Sequence, residues 1–228
     1  MERVPEPELM DEPEQARAYA EADFAESNAL FVQLFRGLLD ERPTGPAGRG
    51  WTPDRVADLG CGPADIPLRL AGLYPLTRFD LVDGAEAMLA HARDRWGRAG
   101  FAGRARLVRA RVPADPLPEP VYDAVISNSL LHHLHDPAGF WSLVRSCLRP
   151  GGCVLVMDLK RPPSPQEADR LVGRYAAGAP AVLQRDYRSS LHAAFTLVEV
   201  RAQLDAAGLG QLVVEVVSDR HLAVRGWV

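Results

Sequence analysis

The sequence contains few cysteines: Cys61, Cys147 and Cys153 are the only three in 228 residues. Their spacing matches neither a disulfide framework nor a set of metal ligands, which favours a reducing compartment. No apolar run is long enough to cross a bilayer. The start of the chain is acidic and rich in proline, unlike a signal peptide. We therefore expect a cytoplasmic protein that does not associate with a membrane.

Clusters of positive charge are also missing. The chain has 26 Lys and Arg against 30 Asp and Glu, which gives a net charge of −4, and it has no polybasic run. Nucleic acids are bound through clustered Lys and Arg, so we expect no nucleic-acid partner. The length accommodates one α/β domain with appended segments, as a monomer or a homodimer.

The most informative stretch is Val56-Ala57-Asp58-Leu59-Gly60-Cys61-Gly62-Pro63-Ala64-Asp65. It predicts a buried strand, a glycine turn and the start of a helix. Gly60 and Gly62 permit a sharp turn on which a ligand can lie against the main chain, near the free N–H groups of the helix. A dinucleotide-binding turn would carry Gly or Ala in place of Asp65, which disfavours a nicotinamide oxidoreductase. Carboxylates such as Asp58 instead suit a cationic ammonium or sulfonium ligand.

This turn resembles motif I of the class I S-adenosylmethionine (SAM)-dependent methyltransferases, although Ala64 replaces a glycine that is common in that family. The resemblance implies a Rossmann-like α/β fold: a seven-stranded, mostly parallel sheet with helices on both faces, an antiparallel last strand and helical lid elements. It also implies SAM as cofactor and S-adenosylhomocysteine (SAH) as product. On the turn, the cofactor-binding residues would be Asp58, Gly60, Cys61, Gly62 and Asp65.

The second predicted strand, 79–83, ends on Asp83 and is followed by Gly84 and a helix from 85 to about 96. An acid at this distance after a glycine turn can accept hydrogen bonds from both ribose hydroxyls. The segment resembles motif II of the same family, in which Asp83 and Gly84 would bind the cofactor and Met88 would pack on the adenine ring. Ordinary core packing is an equally good interpretation of Met88.

The third predicted strand, 105–112, ends where many relatives carry an Asp that binds the adenine amino group. Arg111 stands there instead, and its guanidinium accepts no hydrogen bond. We expect backbone groups near Arg111 and Val112 to contact the adenine.

The fourth predicted strand, 121–128, is continuously apolar and ends on Ser127 and Asn128, which we expect beside the glycine turn in the cofactor site. The following segment resembles the Asn-x-x-Leu-His-His form of motif IV in small-molecule methyltransferases. Histidine titrates near neutral pH, so His132, and less favourably His133, are candidate general bases. Alternatively both satisfy local hydrogen bonds. A metal site is disfavoured because adjacent histidines diverge on a helix and no carboxylate completes the set, so we expect no metal.

The fifth predicted strand, 153–158, follows a helix and a Gly-Gly turn and ends on Asp158. At this rim of the sheet the carboxylate has two interpretations. It orients the acceptor's amine or hydroxyl, or it pairs with Lys160 or Arg161, and the ion pair is slightly favoured.

Two segments outside the sheet are candidates to cover the site. Residues 1–50 form a predicted helical extension, with helices over 13–39, a second helix that starts at Ser27-Asn28, and a linker from 42 to 50. Residues 51–228 form the predicted SAM-binding methyltransferase domain. A helical insertion at about 162–194 lies within that domain, and a hairpin over 211–225 closes the sheet. The candidate acceptor-binding residues on these segments are Tyr19, Phe24, Asn28, Tyr187, His192 and Arg220.

The sequence therefore predicts a SAM-dependent methyltransferase that acts on a small-molecule nucleophile, most readily at oxygen or nitrogen. Methylation of a protein or peptide is a second hypothesis. A SAM-binding partner protein without catalysis is a third, because nothing in the glycine turn excludes it.

Overall fold

The computed structural model describes residues 1–6, 13–42, 51–117 and 121–228. Its helices are α1 (Pro13–Glu21), α2 (Ala25–Asp40), α3 (Asp65–Leu73), α4 (Glu86–Arg98), α5 (Ala138–Cys147), α6 (Pro165–Tyr175), α7 (Ala181–Ala193) and α8 (Leu197–Ala206). Its strands are β1 (Arg55–Leu59), β2 (Arg78–Asp83), β3 (Ala105–Arg109), β4 (Tyr122–Asn128), β5 (Leu148–Leu159), β6 (Val213–Val216) and β7 (His221–Trp227). Parts of the predicted extension, its linker and the loop before β4 lie outside the described residues.

The seven strands form one sheet in the order β3-β2-β1-β4-β5-β7-β6. The first five run parallel, and β7 lies antiparallel between β5 and β6. The predicted sheet, with its closing hairpin and antiparallel last strand, is thereby confirmed. The chain reverses its path across the sheet between β1 and β4, so the carboxyl ends of these strands face the crevice where α/β sheets bind ligands.

Apolar side chains cover both faces of the sheet. One face packs against Phe140 and Trp141 of α5, and the other against Phe31 and Phe35 of α2 together with Trp96 of α4. This explains why the central strands are apolar throughout, since strands buried on both faces have no solvent side. Helix α2 therefore contributes directly to the core.

Three predicted boundaries are wrong. The first two helices separate at residues 22–24, so that Phe24 precedes α2, and Ser27 and Asn28 lie inside it. Strand β3 ends at Arg109. Strand β5 begins at Leu148 instead of 153 because Leu148 already pairs with Tyr122 of β4. Gly151, with φ +74°, donates its N–H to Val228 O at 2.7 Å.

The structure confirms the predicted start of α8. Thr196 and Glu199 form a reciprocal capping box, in which each side chain accepts from the other residue's backbone N–H. Within the described parts of the chain, no helix combines the length and apolar character needed to cross a membrane.

Candidate active site

A pocket of about 270 Å³ opens at the carboxyl ends of β1, β2 and β4. Its walls come from the glycine turn after β1, the ends of β2 and β4, the loop after β3 and the helices α1 and α2. The lining includes Tyr19, Phe24, Asn28, Asp58, Gly60, Cys61, Gly62, Asp65, Asp83, Gly84, Met88, Arg111, Val112, Asn128, Ser129, Leu130 and His133.

The glycine turn has a left-handed backbone at three positions. Gly60 has φ +72°, Gly62 has φ +52°, and Ala64 has φ 60° despite its Cβ. The N–H groups of Gly60 and Cys61 both donate to Val82 O at 2.9 Å, which ties the turn to β2. Because Gly60 packs against Leu130, a Cβ there would lie 2.9 Å from Leu130 Cδ1. A residue with a side chain at position 60 would therefore overlap Leu130, and glycine keeps the main chain of the turn accessible from the pocket.

Asp83 links the glycine turn to the start of α4. Its Oδ2 accepts from Gly62 N–H and its Oδ1 from Ala85 N–H, each at 2.8 Å. The same carboxylate lines the pocket, so a ligand bound there would contact it. The carboxylate is thus held in place by the protein before any ligand arrives.

Two further carboxylates in the lining have different electrostatic environments. Asp58 is only 4 % exposed, and burial, together with the nearby charge of Asp83, raises its pKa to about 8. Asp65 forms an ion pair with Arg95, whose guanidinium also donates to Ala20 O. Asp65 thereby connects α3 to α4 and α1, and its charge is largely neutralised by this pairing.

The opposite wall is more apolar. Met88 is 3 % exposed and packs with Ala16 and Ala85 while also lining the pocket, so both interpretations of this side chain fit the structure. Arg111 N–H donates to Asp115 Oδ2 at 2.8 Å, so this group is not open for the predicted contact with adenine. Val112 lies beside it in the lining.

Of the two residues predicted to bind the cofactor at the end of β4, only one lines the pocket. Ser127 is fully buried, donates to Leu59 O at 2.7 Å, and does not belong to the described pocket lining. Asn128 lines the pocket. Its Oδ1 is buried and has no hydrogen-bond partner among the residues that the structure describes. Because buried acceptors in proteins are normally paired, this atom calls for a donor from a ligand.

Of the two candidate general bases, the structure places His133 at the pocket and not His132, the one that the sequence favoured. His132 is 3 % exposed and lies behind the wall, whereas His133 lines the pocket. Asp158 determines this arrangement, because its Oδ1 lies 2.5 Å from His132 Nδ1 and its Oδ2 accepts from His132 N–H at 3.2 Å. Burial opposes both charges, but the pairing outweighs it, so the pKa of His132 is raised and that of Asp158 is lowered.

The favoured prediction from the sequence, an ion pair of Asp158 with Lys160 or Arg161, is therefore wrong. Arg161 pairs with Glu199 at 2.6 Å. Lys160 N–H donates to Arg220 O at 2.8 Å, and the buried Asp158 contacts His132 instead. Asp158 thus positions a histidine and does not itself reach the described pocket lining.

Of the residues predicted to bind the methyl acceptor, those of the N-terminal extension line the pocket and those further along the chain do not. Tyr19, Phe24 and Asn28 line the pocket, and the two aromatic rings contact each other at a centroid distance of 4.7 Å with a tilt of 38°. Tyr187 packs in a small apolar cluster of α6 and α7, and Arg220 lies on the Tyr175 ring at 3.4 Å. Neither these two nor His192 belongs to the described lining.

Glu6, Ser129 and Leu130 lie at the site, although none of them was predicted individually from the sequence. Ser129 and Leu130 line the pocket directly after Asn128, and their place after a parallel strand was the available signal. Glu6 approaches both His132 and His133. No sequence pattern marks Glu6, so the statement that no carboxylate completes a set with these histidines is wrong.

Comparison with known proteins identifies residues 56–152 as a match to the family described as "Methyltransferase domain". One curated relative is trans-aconitate 2-methyltransferase from Variovorax paradoxus strain S110, 34 % identical over 154 residues, which are 64 % of this chain and 56 % of that protein. Another is a ubiquinone/menaquinone biosynthesis C-methyltransferase from Ectopseudomonas mendocina, 32 % identical over 114 residues, 49 % of this chain and 44 % of the relative. The chain spans about half the length of these relatives.

Solved structures with the same fold cover nearly the whole chain. A SAM-dependent methyltransferase from Aquifex aeolicus superposes with a TM-score of 0.66 at 15 % identity, over 95 % of this chain and 98 % of that one. The plantazolicin methyltransferase BpumL in complex with SAH gives 0.69 at 12 % identity, over 94 % and 91 %. At these identities the likeness concerns the fold.

Proposed function

We propose that this protein transfers a methyl group from SAM to a small-molecule nucleophile at oxygen or nitrogen. The match of residues 56–152 to the methyltransferase-domain family supports this proposal. The observation that carries the proposal is Asp83. Its carboxylate accepts from the main-chain N–H groups of Gly62 and Ala85 and lines the pocket, at the end of the second strand, where an acid suits the hydroxyls of a ribose.

The remaining cofactor contacts follow from the lining. The exposed main chain of Gly60, Cys61 and Gly62 supports the amino-acid part of the cofactor. The unpaired Asn128 Oδ1 accepts a hydrogen bond from its ammonium group. Met88 and Val112 pack against the adenine. We leave Ser127 out of this set because its hydroxyl donates to Leu59 O.

Catalysis requires mainly alignment and exclusion of water. Bound SAM supplies an activated methyl group on its sulfonium. Tyr19 and Phe24 form the outer wall and shield the reacting atoms, and Asn28 offers the acceptor a polar contact. The titratable cluster around His133 borders the pocket and assists removal of the acceptor's proton.

The described lining offers little positive charge to a polycarboxylate such as trans-aconitate. Arg111 is the one guanidinium among the described lining residues, and it shares the lining with the Asp83 carboxylate, whereas Asp65 is paired with Arg95 and Asp58 is mostly protonated at pH 7. One guanidinium beside a carboxylate does not balance the three negative charges of such an acceptor. We therefore propose a neutral small molecule with a hydroxyl or amine nucleophile, methylated in the cytoplasm.

The test is transfer of labelled methyl groups from SAM to fractionated metabolite pools, with peptide pools and trans-aconitate in separate reactions. The proposal predicts a labelled small molecule. A labelled peptide alone would establish the peptide hypothesis instead. Binding of SAM without a product from any pool would identify a non-catalytic SAM-binding protein and contradict the proposal.

Asp58 gives a prediction on proton release. At pH 7 its raised pKa, about 8, keeps it mostly protonated in the free protein. A bound sulfonium favours the carboxylate and lowers that pKa, so binding releases a proton. We expect release of about one proton per SAM at pH 7, measured by calorimetry in buffers of different ionisation enthalpy. Release should be lost in Asp58→Asn and kept in Glu86→Gln, an exposed acid on α4.

Equal release by the wild type and Asp58→Asn would mean that Asp58 does not respond to the ligand's charge. The same titrations at pH 9 provide an internal check. There Asp58 is already mostly ionised in the free protein, so the release from the wild type should fall toward that of the variant.

A further inference from the structure

Glu6, His132 and His133 bring three ligating atoms together at the border of the pocket. Glu6 Oε1 lies 3.4 Å from His132 Nε2 and 3.2 Å from His133 Nδ1, and all three atoms lie within 4.8 Å of one another. Ligands about 2.0–2.1 Å from a tetrahedral ion are separated by about 3.4 Å. The two contacts match that spacing and exceed the roughly 2.7–2.9 Å of a direct charge-assisted hydrogen bond.

Glu6 is held so that one of its oxygens faces both histidines. Its Oε1 accepts from Ser190 Oγ at 2.9 Å, and the same oxygen approaches His132 Nε2 and His133 Nδ1. Because His132 Nδ1 lies 2.5 Å from Asp158 Oδ1, the other ring nitrogen, Nε2, is the one directed at Glu6. The three ligating atoms therefore converge from two distant segments of the chain.

The surroundings of His132 resemble the outer shell of protein metal sites. A ligating histidine commonly donates its second ring N–H to a carboxylate, which fixes the tautomer and the ring orientation. Asp158 does this for His132, and it is itself held by Leu159 N–H at 2.6 Å. The adjacent rings of His132 and His133 do not diverge as they would on an α-helix. They stack at a centroid distance of 4.2 Å on the 3₁₀ turn Leu131–His133.

Glu6 reaches this place because residues 1–6 form a strap across the site. Arg3 Nε donates to Ala193 O at 2.6 Å, and its Nη2 donates to His132 O at 2.9 Å and Leu134 O at 2.8 Å. The guanidinium also lies 3.9 Å from the centre of the Phe195 ring. These contacts attach the strap to the histidine turn itself, so the position of Glu6 follows from several independent interactions.

We propose that Glu6, His132 and His133 bind one divalent transition metal ion, Zn²⁺ or a similar ion, at the border of the pocket. Two imidazoles and a carboxylate without a thiolate suit Zn²⁺, Co²⁺, Ni²⁺ or Fe²⁺. Three protein ligands leave a coordination position for a small molecule, as in catalytic zinc sites. His133 connects the site to the pocket, since it belongs to both.

The role of the ion in the reaction rests on the proposed function. A hydroxyl group of the acceptor that binds the ion has a lowered pKa and loses its proton to solvent. Its oxygen then forms a bond to the methyl carbon while the methyl–sulfur bond breaks, and SAH leaves as a neutral thioether. The ion would also add positive charge beside an oxygen nucleophile, in a described lining where Arg111 is the one guanidinium.

The test uses the tag-free full chain, stripped of metal and titrated with Co²⁺, whose absorption reports tetrahedral nitrogen and oxygen ligands, and then with Zn²⁺ in competition. The wild type and Glu2→Gln, an exposed acid on the same strap, should bind one ion. Glu6→Gln should weaken Zn²⁺ binding by about 100-fold, and Asp158→Asn by about 10- to 100-fold. Zn²⁺ should raise the Tm of the wild type but not of Glu6→Gln.

Equal Zn²⁺ affinity in the wild type and Glu6→Gln, or no Co²⁺ spectrum at all, would overturn the proposal and leave the cluster as an ion pair. Titration of SAH into the metal-free proteins separates this failure from a failure of the proposed function. Intact SAH binding without metal binding would contradict only the metal site. Loss of both would contradict both.

Discussion

Replacing Asp83 with alanine is expected to weaken SAH binding by about 100-fold or more. The variant removes a carboxylate that holds Gly62 N–H and Ala85 N–H and, in our proposal, both ribose hydroxyls. Hydrogen bonds to a charged group contribute about 1.5–3 kcal/mol each, and about 1.4 kcal/mol corresponds to a factor of ten in affinity. Isothermal titration of SAH into wild type and variant measures the loss.

Glu86→Gln is the matched control for Asp83. Glu86 lies three residues further on, is about half exposed, and makes ion pairs only at 3.9 and 4.0 Å. Exposed pairs of this kind contribute little, so its SAH affinity should equal that of the wild type. If Asp83→Ala binds SAH as tightly as Glu86→Gln while remaining folded, Asp83 does not bind the ribose.

Replacing Gly60 with alanine should destabilise the fold and close part of the site. Alanine at this position must adopt φ near +72°, and its Cβ would lie within 3.0 Å of three Leu130 side-chain atoms. The left-handed backbone costs about 1–2 kcal/mol and the overlap about 1–3 kcal/mol. We expect a loss of about 2–5 kcal/mol in the free energy of unfolding, measured by urea denaturation, and weaker SAH binding because Leu130 must move.

Gly62→Ala separates backbone strain from steric overlap. Gly62 also has a positive φ, but its nearest neighbour, Tyr19 Cε1, would lie 3.9 Å from the new Cβ, an ordinary contact. The cost should therefore be limited to the backbone, about 1–2 kcal/mol. If the two variants were equally stable, the packing of Leu130 on the glycine turn would not restrict position 60.

The arrangement of the strands could be predicted from the sequence because it depends on local periodicity. Continuous apolar runs such as 121–128 belong to strands covered on both faces, and the glycine turn after Leu59 fixes where the first strand ends. Resemblance of three short motifs then predicted a methyltransferase domain, and residues 56–152 match the methyltransferase-domain family.

The orientation of individual side chains could not be predicted in the same way. His132 and His133 are adjacent, and which of them faces the pocket depends on the 3₁₀ turn and on Asp158, which is 26 residues away in the sequence. Glu6 reaches the histidines because Arg3 binds carbonyl groups of distant segments and because Glu6 itself accepts from Ser190 Oγ. Such contacts arise from tertiary packing and leave no periodic pattern in the chain.

The most direct test of this account is calorimetric titration of the wild-type protein with SAM, SAH and, separately, a nicotinamide dinucleotide. We predict that SAM and SAH each bind at one site per chain and compete with each other, and that the dinucleotide gives no heat of binding. Binding of the dinucleotide, with no heat from either SAM or SAH, would contradict the assignment of the pocket.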